Sequence, residues 1–168
     1  MKKVSIFSAS FLSAIAFATV MFFNACTSDP CKDIVCMNGG TCISGTCDCT
    51  TGYEGTDCST ESRTKFAGTW TAADACSSSG TSSYIVTMSN GATVVDVNIT
   101  NFWDVFANSV KATVNGSTIS IASQEPDNDG FKVSGQGSIS GNNITWSYTI
   151  DGSSAGSGVD VCTSTWTK

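Results

Sequence analysis

Nine cysteines and a scatter of carboxylates are the side chains of this 168-residue chain best suited to chemistry, and it has no histidine. Thiolates attack carbonyls, exchange disulfides and ligate soft metals. Carboxylates move protons or hold hard cations. Without histidine the usual Ser and Cys nucleophile pairs lack their base. A zinc site is poorly served as well: one residue, not two, separates Cys47 from Cys49. Carboxylate pairs are available among Asp96, Asp104, Glu125, Asp127, Asp129 and Asp160. Glycosidase-like use of two of them requires a cleft, which sequence does not show. The expectation is a non-enzyme with no catalytic residue and no cofactor; a carboxylate-dependent hydrolase is the remote alternative.

The cysteines read better as disulfides, because many in a short chain indicate an oxidising, extracytoplasmic compartment. Net charge is −6, which repels phosphate backbones and excludes nucleic acid as a partner. Lys2 and Lys3 precede an uncharged run from Val4 to Phe23, the order of a secretory signal. A membrane-spanning anchor competes, since about 20 apolar residues span a bilayer, but Ser5, Ser8, Ser10 and Ser13 dilute the run. The run ends in Phe23-Asn24-Ala25-Cys26. A small residue before a cysteine here resembles the lipobox of bacterial lipoproteins, in the relaxed form of Bacteroidota. Phe23 and Asn24 depart from the commonest pattern. The resemblance implies a signal peptide over 1–25, acylation of Cys26 and a tether over 26–30. Thr27 is not the Asp of an inner-membrane retention signal, so the expected address is the outer membrane at the cell surface, with a periplasm-facing placement as the alternative.

Six cysteines follow in 28 residues, spaced C-x4-C-x5-C-x4-C-x-C-x8-C from Cys31 to Cys58. So short a segment cannot build its own hydrophobic core and needs cross-links. Spacing alone leaves many pairings open. "NGGTC", "CDC" and "GYEG" in residues 31–58 resemble an EGF-like domain, with a short gap between Cys42 and Cys47 like that of the tenascin type. The resemblance implies Cys31–Cys42, Cys36–Cys47 and Cys49–Cys58.

A polar linker, "STESRT", covers 59–64. Beyond it, over 65–168, apolar and polar residues alternate between turn signals, the pattern of strands with one buried face. Val110, Ala112 and Val114, then Ile119 and Ile121, flank Asn115-Gly116; Ile144, Trp146, Tyr148 and Ile150 share a face after Gly141-Asn142. Further strands are expected near 67–75, 83–90, 93–100 and 158–167. The fold class is mainly β: a small disulfide-rich module, then an eight-stranded up-and-down barrel, with a β-sandwich as the alternative. Phe66-x-Gly68-x-Trp70 resembles the opening of lipocalin-like barrels. That resemblance places Trp70 at the closed end, covered by Lys168. In a closed meander the end of the first strand lies beside the last, which pairs Cys76 with Cys162. Eight cysteines then have partners, and Cys26 is the odd one.

Three features bear on ligands. Phe102, Trp103 and Phe106 sit in a connection, where they cap one barrel end or form a binding patch. Glu125, Asp127 and Asp129 can offer oxygens to calcium, but "EPDNDG" also simply makes a turn. Ala112, Ser123, Gly135, Gly137 and Thr163 are expected to face inward; they leave room for a ligand or for neighbouring aromatics. The leading expectation is a membrane-anchored adhesion or binding module with a protein or glycan partner. The alternative is a lipid-anchored carrier of a small apolar ligand.

Overall fold

The structure, a computed structural model, describes residues 29–168. The expected signal peptide over 1–25, Cys26 and the first part of the expected tether lie outside the described residues.

Two two-stranded sheets build the disulfide module. β1 (Thr41–Ile43) pairs with β2 (Thr46–Asp48), and β3 (Tyr53–Glu54) pairs with β4 (Thr60–Glu61). Disulfides link Cys31–Cys42, Cys36–Cys47 and Cys49–Cys58. The polar connector over 59–64 is folded: it supplies β4 and enters a 3-10 turn, Ser62–Lys65.

Eight strands close into an antiparallel barrel: β5 (Gly68–Cys76), β6 (Gly80–Asn90), β7 (Asp96–Thr100), β8 (Val110–Asn115), β9 (Thr118–Gln124), β10 (Lys132–Ser140), β11 (Asn143–Asp151) and β12 (Val159–Thr167). Each pairs with its sequence neighbours, and β12 returns to β5. Closure gives every barrel strand two neighbours, although β6 meets the short β7 only over Thr87–Asn90. β7 starts later than alternation suggests, because the Asp96 carboxylate accepts from Thr93 N–H and Oγ and curls residues 93–95 into a turn.

Inward residues fill the interior. On β11, Ile144, Trp146, Tyr148 and Ile150 are buried, and on β12, Cys162, Ser164 and Trp166. Gly135 and Gly137 lie opposite Tyr148 and Trp146 in register. A Cβ at Gly135 would come within 2.5 Å of Tyr148 Cβ, and one at Gly137 within 2.8 Å of Trp146 Cδ2. These glycines therefore make room for aromatic rings, not for a ligand. Two expected inward positions are corrected. Thr163 is exposed, because β12 turns Cys162 and Ser164 inward and a one-residue slip reverses faces. Ser123 is exposed too: β9 carries an extra residue opposite Val133–Gly135, and this bulge breaks its alternation.

The module docks on the barrel end where β5 begins. Arg63 Nη1 donates to the carbonyls of Gly91, Thr93 and Asp96 in the β6–β7 turn. Ser62 N–H donates to Gly52 O at 2.8 Å, and Lys65 pairs with Glu54. A side chain at Gly52 would collide with Val94 and Val95 of the same turn. This end is closed. Phe66 and Trp70 are buried, Trp70 Nε1 donates to Phe66 O, and Lys168 Nζ sits 4.4 Å from the Trp70 ring centroid.

Candidate functional site

Four connections crowd the opposite end: 77–79, 101–109, 125–131 and 152–158. Between them lies a cleft of about 320 Å³. Trp103 and Phe131 form its aromatic walls, Ile150 and Val159 add apolar surface, and Ser78 and Ser79 add hydroxyls.

The 101–109 connection splits the expected aromatic patch. Phe102 and Phe106 are buried. Phe102 drops into the barrel as a plug, its ring 4.9 Å from Tyr148, 5.8 Å from Trp166 and 6.0 Å from Trp146. Trp103 instead stays half-buried at the rim, 5.9 Å from Phe106 and 6.1 Å from Phe131. Capping and surface presentation are thus divided between adjacent residues.

This division has a backbone cause. Asn101, Trp103 and Asp104 all have positive φ, at 63°, 60° and 54°. Bulky residues rarely adopt that region, and such strain concentrates at ligand clamps and similar functional places. The surrounding groups hold it. Asn101 Nδ2 donates to Ile85 O and Asp104 Oδ1. Trp103 N–H donates to Tyr84 Oη at 2.9 Å. Tyr84 and Tyr148 both donate to Asp74 Oδ2 at 2.6 Å. Asp74 is itself buried, and its Oδ1 has no hydrogen-bond partner.

Burial pushes the Tyr84 hydroxyl well above the ordinary phenol range, and Asp74 adds to the shift by hydrogen bond and charge. Tyr148 is raised by burial first, then by charge repulsion from Tyr84 and the bond to Asp74. Both phenols therefore remain neutral donors. The chain of bonds runs from the barrel wall to the backbone of the rim tryptophan.

The acidic candidates are engaged in local structure. Asp160 accepts from Ser77 Oγ, Ser78 N–H, Ser79 N–H and Ser79 Oγ. Its burial raises the carboxyl pKa, but these donors outweigh that and lower it to about 2. Asp127 accepts from the N–H groups of Ala107 and Asn108, both at 2.8 Å, and they lower its pKa. Glu125 accepts from Gly130 N–H, and Asp129 from Phe131 N–H. The calcium cage of Glu125, Asp127 and Asp129 does not form: among the described residues the only convergent ligand group is Cys76, Asp160 and Cys162. There the two sulfurs are bonded to each other. The acids serve as turn staples, because backbone amides reach them first.

Asp74, Tyr84 and Phe131 join this site without having been singled out as its members. Asp74 carries a readable signal: it follows Trp70 and Ala72 on the inward side of β5, an acid in an apolar row. The link from Tyr84 to Trp103 depends on a loop conformation that no periodicity encodes.

The fold is a closed eight-stranded β-barrel. Among solved structures, one described as EF1p2_mFAP2b bound to DFHBI is similar over 64 % of this chain and 98 % of its own, at 19 % identity and a TM-score of 0.47. A redesigned beta barrel, b11L5F_LGL, is similar over 64 % and 94 %, at 14 % identity and a TM-score of 0.47. No protein-family description matches the chain. No curated protein matches it.

Proposed function

We propose that this protein is a non-enzymatic binding module, lipid-anchored through Cys26 at the outer-membrane surface, that holds a protein or glycan partner at the barrel end opposite the disulfide module. The EGF-like segment acts as the spacer. Trp103 is the observation that carries this reading: a rim tryptophan held in a left-handed conformation by a buried Tyr84–Asp74–Tyr148 network. With Phe131 it offers flat aromatic surface beside serine hydroxyls, suited to a sugar ring or an aromatic side chain. The cleft lies at the barrel end opposite the docked module. Strands of about nine residues, tilted as barrels require, separate the two by about 20–25 Å. Saturation of the Asp160 carboxylate by four donors favours binding over acid–base chemistry here. The carrier alternative ranks second, because an apolar ligand inside the barrel must first displace Phe102 from its three aromatic neighbours.

The test compares wild type with Trp103→Ala and Phe131→Ala on glycan arrays and by crosslinking on intact cells. A partner held by wild type and weakened at least tenfold in both variants, with melting temperature little changed, supports the cleft. The same partner held equally by all three proteins refutes it. Cys26→Ser tests the anchor separately: an unchanged mass shift and membrane fraction would exclude lipidation at Cys26.

A further inference from the structure

The disulfide module exposes apolar side chains where its chain arrives from the tether. Val35 is 79 % exposed, Ile43 57 % and Ile34 36 %. Single exposed apolar residues need no explanation, whereas a group of them marks a contact surface. The Cys31–Cys42 bridge brings the turn that carries Ile34 to the strand that ends in Ile43. Ile34 N–H donates back to Cys31 O, which closes that turn. The Ser44–Gly45 turn beyond Ile43 lies against Pro30: a Cβ at Gly45 would contact Pro30 Cβ at 3.6 Å. The module meets the barrel through another part, at Gly52 and Glu54.

We propose that Ile34, Val35 and Ile43 insert into the bilayer interface and seat the module directly on the membrane. This rests on the anchoring proposed above. Cys26 precedes Pro30 by four residues, and an extended chain spans about 3.5 Å per residue. The anchor thus holds Pro30 within about 14 Å of the lipid, too little to admit a folded partner between tip and membrane. Lipid is therefore the occupant of this apolar tip. The flanking charges are Asp29, Lys32 and Asp33, so no basic cluster attracts anionic headgroups and the contact is apolar in origin.

The test places the full chain, held by its own N-terminal anchor, in phosphatidylcholine–phosphatidylethanolamine vesicles. A fraction of the lipid carries a photoreactive group at a shallow acyl position, and labelled peptides are mapped by mass. Label in residues 31–45 and none in the barrel is the expected result. Ile34→Ser/Val35→Ser/Ile43→Ser should lose at least fivefold of that label while remaining vesicle-bound with its disulfides intact. Val35→Ser alone, at the most exposed position, tests the contact with little risk to folding and should lose at least twofold. Label confined to residues before Pro30, in protein that stays vesicle-bound, overturns the insertion and leaves the anchor standing. Protein that does not float with vesicles removes the anchoring reading and the insertion together. Label that rises with added phosphatidylglycerol assigns the contact to charge and overturns it as well.

Discussion

The disulfide module, with strands of two or three residues, and the barrel, with strands of up to eleven, are held together by different means. Every residue of the hydrophobic core cluster lies at or beyond Phe66. In the module the buried apolar side chain is Cys58, itself half of a disulfide. Three disulfides there close loops with sequence separations of 11, 11 and 9. The barrel has one, with a separation of 86. The module thus depends on covalent bonds for want of a core, while the barrel adds one bond to a packed core.

Full reduction breaks this comparison open and has the largest expected effect. The module should lose its structure entirely, with amide exchange over 31–58 reaching unfolded rates. The barrel should stay folded, with a lower melting temperature. Closing its long loop is worth about 4–5 kcal/mol in the chain-entropy model, so Cys76→Ser/Cys162→Ser should reproduce the barrel's share of the loss. A barrel that unfolds cooperatively with the module on reduction would contradict the division.

Phe102→Ala attacks the barrel through packing instead. Removing the plug should cost about 3–5 kcal/mol, read as a lower denaturant midpoint for the tryptophan signal. Module exchange rates should not move. Arg63→Ala acts at the junction. It strips three carbonyls of their shared donor and should cost about 1–3 kcal/mol. Amides at 91–96 should exchange faster while both regions stay folded; unchanged exchange there would remove Arg63 from the junction.

Regular periodicity made the barrel legible in the sequence. Ile144, Trp146, Tyr148 and Ile150 alternate cleanly, and the structure turns all four inward. The alternation fails at Ser123, where a bulge resets the face without any local sequence mark. The hairpin turns show the same limit. Gly141 and Asn142 form their turn as read, whereas the barrel's other two-residue turn is Gly116-Ser117, one step beyond Asn115-Gly116. Gly116 has φ +55° and Asn115 stays in the strand. The cleft was only half legible. An aromatic connection stood out, but plug and rim differ by one residue, and a left-handed backbone bonded to Tyr84 from another strand decides which is which.

The smallest effect concerns Asp160 and separates a staple in the barrel from the disulfide beside it. Four donors from Ser77–Ser79 hold this carboxylate, and they lower its pKa to about 2 despite burial. In the unfolded chain an Asp titrates near ~3.9. The folded value is therefore the lower one. Its contribution is fully present above about pH 4 and is lost as pH falls through about 2. Asp160→Asn keeps the shape but removes the charge and one acceptor oxygen, so at neutral pH it should destabilise the barrel by about 1–2 kcal/mol. Between about pH 4 and 2 the difference between this variant and wild type should shrink, as protonation makes the wild-type group neutral too. Thermal melts of both proteins across that range check it. The disulfide between Cys76 and Cys162 does not titrate, so reduced and oxidised barrels should differ by a nearly constant amount over the same interval. Equal pH slopes for wild type and Asp160→Asn would show that the turn is held by the backbone and the disulfide alone, with the carboxylate contributing nothing that protonation can remove.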